Sequence, residues 1–150
     1  MPYYALRTTL ELGPVLPCFI GVSRERGDAL VAAGMRVPEI VPVQGLIDTG
    51  ASCTCVDPSV FETLGMSPTG KVPVYTPSTT EGTPHEANQY DISIRIPGFR
   101  DHDPPLIYLA LPVIEANLSH QGYDALIGRD ILNACLFVYD ARSGFFTLAF

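Results

Sequence analysis

Leu46-Ile47-Asp48-Thr49-Gly50-Ala51-Ser52 is the stretch on which the reading of this chain turns. Two apolar residues bring a strand out of a core, and a carboxylate follows at once on a turn. The small residues behind Asp48 keep the backbone close to it, which suits chemistry that needs a positioned acid or base. A bare Asp-Thr-Gly is a weak signal, because any acidic turn with a glycine produces one. The apolar pair before it and Ala51-Ser52 after it sharpen the reading.

The chain has 150 residues, which is one domain by length, and 47% hydrophobic content is enough for a buried core. Fourteen prolines and thirteen glycines punctuate short apolar runs, a pattern of strands and turns rather than long helices. Net charge is −7 with no Lys/Arg cluster, so a nucleic-acid surface is excluded. No apolar run reaches the roughly 18 residues of a membrane span, so no membrane partner is expected. The opening MPYYALRTTLELGPVL lacks a basic start followed by an apolar core, and no secretory signal is expected there. Cys18, Cys53, Cys55 and Cys135 fit neither a disulfide framework nor zinc spacing. Read as buried free thiols, they set the expectation of a reducing cytoplasm.

Strands are expected at 3–12, 15–23, 37–48, 71–76, 89–96 and 106–115, with a further strand continuing the Asp48 run through Cys53-Thr54-Cys55-Val56-Asp57. A helical turn is expected over 24–34, capped by Asp28 and stopped by Gly34, and a short helix from Pro58 to Gly65. Residues 124–140 read as a strand passing into a short helix and out again. The chain closes on Ser143-Gly144-Phe145-Phe146-Thr147-Leu148-Ala149-Phe150, a hairpin partner or terminal strand. The expectation is one mostly β domain with two short helices.

Beside the Asp48 run stands Ala125-Leu126-Ile127-Gly128-Arg129-Asp130-Ile131-Leu132, an apolar strand entering a helix through Gly-Arg. With the closing strand, these runs fall in the order and spacing of retropepsin-like aspartic proteases, which the chain resembles over residues 40–150. The resemblance implies an all-β acid-protease barrel with one lobe per chain: a 1–40 N-terminal arm and a 41–150 protease core. It implies an aspartic endopeptidase, in which two carboxylates hold one water between them. No second Asp-Thr-Gly exists in the chain, so the mate of Asp48 must come from a second copy in a homodimer.

The resemblance also implies the following roles, position by position. Asp48 is the catalytic carboxylate, Thr49 locks the two active-site loops together, and Gly50 leaves room for substrate backbone. Ser52 either supports the dyad or substrate, or makes a plain turn hydrogen bond. Arg129 ties the dimer by charge pairing, and Gly128 lets its strand pass close to the active-site turn. Phe146, Thr147, Leu148 and Phe150 interleave with the partner, covering an edge otherwise open to aggregation. The tract 76–84 occupies the place of the flap, with Ser78, Thr79, Thr80 and Gly82 facing an extended peptide. It carries one glycine and two prolines, fewer glycines than a flap of the family. Pocket walls are expected from Val43, Leu46, the flap and 106–115.

No cofactor is implied. His85, His102 and His120 are scattered, without metal-ligand spacing. The competing reading is a catalytically weak dimeric scaffold that grips a peptide by strand addition. A redox or metal module on Cys53 and Cys55 is remote.

Overall fold

The structure, a computed structural model, describes residues 1–76, 79–80 and 82–150. Its elements run β1 (Tyr3–Arg7), β2 (Val15–Val22), α1 (Arg24–Ala32), β3 (Val41–Ile47), β4 (Cys55–Val56), α2 (Pro58–Thr63) and β5 (Gly70–Val74). They continue with β6 (His85–Ile96), β7 (Leu106–Glu115), β8 (Ala125–Ile127), α3 (Arg129–Leu132), β9 (Leu136–Asp140) and β10 (Phe145–Ala149). The fold is mainly β, with three short α-helices where two were expected; α1 is capped by the Ser23 hydroxyl, not Asp28, accepting from the Arg26 N–H. No helix among the described residues is long and apolar enough to cross a membrane.

Seven strands form one sheet in the order β2-β3-β8-β4-β7-β6-β5. It closes into a barrel because β2 serves two neighbours: Val15–Ile20 pair with β3, and Phe19–Val22 pair with β6. Alternation makes the closure favourable. Leu16, Cys18 and Ile20 on β2 and Ile92, Ile94 and Ile96 on β6 point inward and are buried, while Asp91, Ser93 and Arg95 between them are not. Each large side chain so buried contributes about 1.5–3 kcal/mol. Helix α2 buries Phe61 in the core, where its ring stacks on Tyr90 at a centroid distance of 3.7 Å.

The first forty residues belong to this framework. β2 is a barrel stave, and β1 joins a second, three-stranded sheet ordered β1-β10-β9. The expected first strand stops at Arg7, because the Thr8 hydroxyl donates to the Gly13 carbonyl (2.6 Å) and turns the chain.

β10 differs from expectation. Its register runs Tyr3↔Ala149 to Arg7↔Phe145 on one side and Phe145↔Asp140 to Ala149↔Leu136 on the other. Both backbone edges of this strand are therefore taken within the chain, and the open edge anticipated at 146–150 is absent. Phe146 and Leu148 are buried against their own core, with Thr147 and Phe150 half-buried.

Candidate active site

β3 and β8 run parallel side by side, pairing Ile47 with Ile127, and the chain leaves β3 at Asp48. The Asp48 N–H still donates to the Ile127 carbonyl (3.0 Å), so the catalytic candidate starts from the last rung of the barrel. The backbone then turns, with the Ala51 N–H donating to the Asp48 carbonyl (3.3 Å). The Gly50 N–H donates to Asp48 Oδ1 at 2.8 Å. One carboxylate oxygen is thereby held, and the other takes no hydrogen bond from the described residues. The side chain is half-buried; Thr49 and Gly50 are exposed.

Beneath the turn lies the start of α3. Arg129 Nη1 donates to the Thr49 carbonyl at 2.8 Å and to the Gly50 carbonyl at 3.0 Å, and the Arg129 N–H donates to the Ala51 carbonyl at 3.0 Å. Instead of a carboxylate, the guanidinium meets its own chain's active-site loop; among the described residues it forms no ion pair. Gly128 passes so close that a Cβ there would stand 2.4 Å from Cys53 C and 2.5 Å from Cys53 O. No residue but glycine fits.

Thr54 and Asp130 fasten the other side of the loop, and the sequence reading missed both. Thr54 is fully buried. Its hydroxyl donates to Asp130 Oδ1 (2.8 Å), accepts from the Gly128 N–H (3.1 Å), and its N–H donates to Asp130 Oδ2 (2.8 Å). Asp57 caps α2, as the Asp57-Pro58 pair led one to expect, and also reaches a distant loop, which the sequence reading missed. It accepts from the Ser59 N–H and hydroxyl and from the Leu118 and Ser119 N–H groups, the last two at 2.8 Å each. Burial alone would raise its carboxyl. These donors, the Ser59 hydroxyl first, outweigh burial and hold it well below the ordinary carboxylate range.

Above Asp48 a cavity of about 390 Å³ opens, floored by Asp48, Gly50, Ala51 and Ser52 and walled by Val74, Tyr75, Thr76, Ile114 and Leu126. A second compartment of about 520 Å³, reaching Lys71, His85, Asn88 and Glu115, shares Cys55, Val74, Thr76, Ile114 and Leu126 with it. The two form one groove. Its hairpin wall is the β5–β6 pair, flanking the expected flap tract with Val74 opposite His85. Ser78 lies outside the described residues. Thr79 bonds within the hairpin, its hydroxyl accepting from the Thr76 N–H (2.8 Å), and Thr79, Thr80 and Gly82 stand outside the groove wall, which Tyr75 and Thr76 supply. Val43 is a core residue instead of a wall, and Leu46 lines neither compartment.

Cys53 and Cys55, read as plain core thiols, line the cavity beside Asp48. Burial, reinforced by Cys53, Asp130 and Asp48, pushes the Cys55 thiol up to about 12, and burial with Asp130 raises Cys53.

Among solved structures, a retropepsin-like aspartic protease from Rickettsia conorii aligns over 99% of this chain and 90% of its own, with a TM-score of 0.62 and 13% identity. The EIAV protease, solved with an inhibitor, aligns over 86% of this chain and 93% of its own (TM-score 0.43, 18% identity). The retroviral protease-like domain of Ddi1 from Leishmania major aligns over 85% and 81% (TM-score 0.42, 16% identity). Among curated proteins no sequence matches. The first alignment establishes a retropepsin-like fold for nearly the whole chain. The family profile for aspartyl proteases matches residues 33–131, which contain the Asp48 turn, both groove walls and the Gly128-Arg129 grip, and the chain therefore belongs to the aspartyl protease family.

Proposed function

We propose that this chain is an aspartic endopeptidase acting as a homodimer, with Asp48 of each copy facing its mate across a two-fold axis. The carrying observation is the Asp48 carboxylate, held through one oxygen by the Gly50 N–H at the floor of a cavity of about 390 Å³ that shares its walls with a second compartment. One carboxylate cannot do the work alone. In the pair, one proton is shared, because two adjacent carboxylates do not both ionise readily. The ionised member takes a proton from the water between them as its oxygen attacks the peptide carbonyl. The protonated member gives its proton to the carbonyl oxygen. The resulting gem-diol collapses with proton transfer to the departing nitrogen, breaking the C–N bond.

Thr49, at the exposed tip of the turn, faces the mate and braces its loop. Gly50 lets substrate backbone approach, and Ser52 binds it from the floor. Val74, Ile114 and Leu126 favour apolar side chains beside the cut. Thr79, Thr80 and Gly82 would contact substrate only if the hairpin closes further over it.

The test is cleavage of unfolded protein or peptide libraries at mildly acidic pH by wild type and Asp48→Asn, with inhibition by peptide mimics carrying a central hydroxyl. Asp48→Asn should lose at least about 1000-fold in kcat while remaining folded. Undiminished cleavage by that variant would sink the proposal. Peptide binding without turnover by wild type would instead favour the scaffold reading.

A further inference from the structure

The outer compartment of about 520 Å³ holds a carboxylate that the chemistry at Asp48 does not use. Glu115 closes β7, one residue past Ile114, and lines this compartment beside Asn88 and Ala116. Its Oε2 accepts from the Tyr90 hydroxyl at 3.0 Å and from Asn88 Nδ2 at 3.2 Å. Both donors are themselves fixed: Tyr90 is buried with its ring against Phe61, and Asn88 is paired within β6. Among the described residues, Oε1 takes no hydrogen bond and no cation stands within ion-pair distance of the carboxylate.

The side chain is half-buried, so its charge is partly stripped of water while its own chain supplies no counter-charge. Tyr90 and Asn88 do not call for that charge, because a neutral amide oxygen accepts the same two bonds. A positioned carboxylate left uncompensated in a cleft points to a cation brought from outside. Lys71, His85 and Glu86 line the same compartment, but all three are exposed and, among the described residues, none of their side chains is held by a hydrogen bond or ion pair. Solvated, untethered charges of that kind contribute little. The sheet order sets the distance from the cut. β7 lies three strands from β3, whose end carries Asp48. Three steps of about 4.8 Å span about 14 Å, or about four residues of extended peptide. Val74, Ile114 and Leu126 wall the way between the two compartments and offer apolar surface to a long methylene stem.

We propose that Glu115 selects substrates carrying a lysine or arginine about four residues from the bond that is cut. This rests on the peptidase reading above and deepens it, naming the substrate class as peptides with an apolar centre and a basic flank. In a homodimer the two-fold axis repeats the compartment, so the preference falls on both sides of the cut.

The test compares peptides with an apolar centre that differ only in holding Lys, Gln or Glu about three to five residues from the cut. Cleavage is read as kcat/KM with the full chain, and binding is read as Kd with Asp48→Asn, which needs no turnover. In both, Lys should be favoured over Gln about tenfold, with Glu below Gln. Glu115→Gln keeps an acceptor for Tyr90 and Asn88 and should bring the Lys-to-Gln ratio below about twofold. A merely structural role would lower both peptides together and leave that ratio where it was. Lys71→Gln should hold the ratio or raise it. Raising salt from about 0.1 M to about 1 M should shrink the wild-type ratio, a readout that needs no variant to fold. No Lys preference in either measurement, a preference that outlasts Glu115→Gln or ignores salt, or a preference for Glu overturns the role of Glu115 and leaves the Asp48 chemistry untouched. A Lys preference in binding, with no peptide cleaved by wild type, overturns the peptidase reading and leaves the Glu115 site standing.

Discussion

Gly128→Ala places one methyl group where the structure has least room for it. Backbone conformation is not the obstacle, since φ −85° and ψ −179° suit any residue. The obstacle is steric. Ordinary contact begins near 3.4 Å, whereas the added Cβ would meet Cys53 C at 2.4 Å, Cys53 O at 2.5 Å and Thr54 N at 2.8 Å. All three are backbone atoms of the active-site loop, so no side chain can rotate away. Either the loop or the β8–α3 junction must move by about 1 Å. Overpacking of this kind costs about 1–3 kcal/mol. Stretching the Gly128 N–H bond to the Thr54 hydroxyl adds about 1 kcal/mol. Reduced freedom of the unfolded chain returns at most about 1 kcal/mol. The expected net loss is about 1–4 kcal/mol, read by urea denaturation, or a fall in Tm of about 3–15 °C for a domain of this size. Because Asp48 rides on the displaced loop, kcat should also fall about 100-fold. Gly70→Ala is the control: nothing stands within 4 Å of its Cβ position, and stability should hold or rise slightly. A Gly128→Ala protein within about half a kcal/mol of wild type would refute the claim that this close pass anchors the loop.

Thr54→Val, nearly isosteric, strands the Gly128 N–H and removes a donor from Asp130; denaturant unfolding should show a loss of about 2 kcal/mol. Asp57→Asn weakens the acceptor shared by Ser59, Leu118 and Ser119 and should cost about 3 kcal/mol at neutral pH. Since the folded Asp57 carboxyl lies below its unfolded value, its stabilisation is complete above about pH 4 and is lost as pH falls through the folded value; unfolding midpoints against pH should drop less steeply below pH 4 in Asp57→Asn. Arg129→Lys keeps the charge but replaces the planar guanidinium whose Nη1 reaches both the Thr49 and Gly50 carbonyls; kcat should fall more than about tenfold with a stability change under about 1 kcal/mol, separating a positioning role from a structural one.

Much of this architecture was legible because it is local. The 106–115 run is the β7 strand to the residue, and Asp57-Pro58 opens α2 where a cap followed by proline should. The Asp48 turn and its Gly-Arg counterpart each declare themselves in seven or eight consecutive residues. What stayed hidden is pairing. β9 and β10 read alike as apolar strands, and nothing in a period of two says that one is central and the other an edge. Thr54 and Asp130 are separated by 76 positions, and Asp57 and Leu118 by 61. Each looks like an ordinary polar residue until folding brings its donors to it. Arg129 likewise gives no sign in the sequence of its partners within the chain, two carbonyls of the Asp48 loop.

The groove offers two chemistries, and their electrostatics separate them. Cys53 and Cys55 line the same cavity as Asp48, so a thiol nucleophile is the natural rival to a carboxylate-activated water. A thiol acts as thiolate, and reactive cysteines sit near positive charge or a helix N-terminus that lowers their pKa. Here the neighbours work the other way. Burial and Asp130 raise Cys53, and burial, with Cys53, Asp130 and Asp48, pushes Cys55 up to about 12, which favours the thiol over the thiolate. The carboxylates that suppress the thiols belong to the assembly that positions the turn, Asp48 through Gly50 and Asp130 through Thr54. The proposed acid chemistry and the inertness of the cysteines thus share one cause, an acidic, partly desolvated loop with the Arg129 guanidinium turned onto backbone carbonyls. Alkylation with a small reagent at neutral pH should therefore be slow at both positions, and any inhibition from Cys53 should be steric, disappearing in a Cys53→Ala protein that cleaves normally.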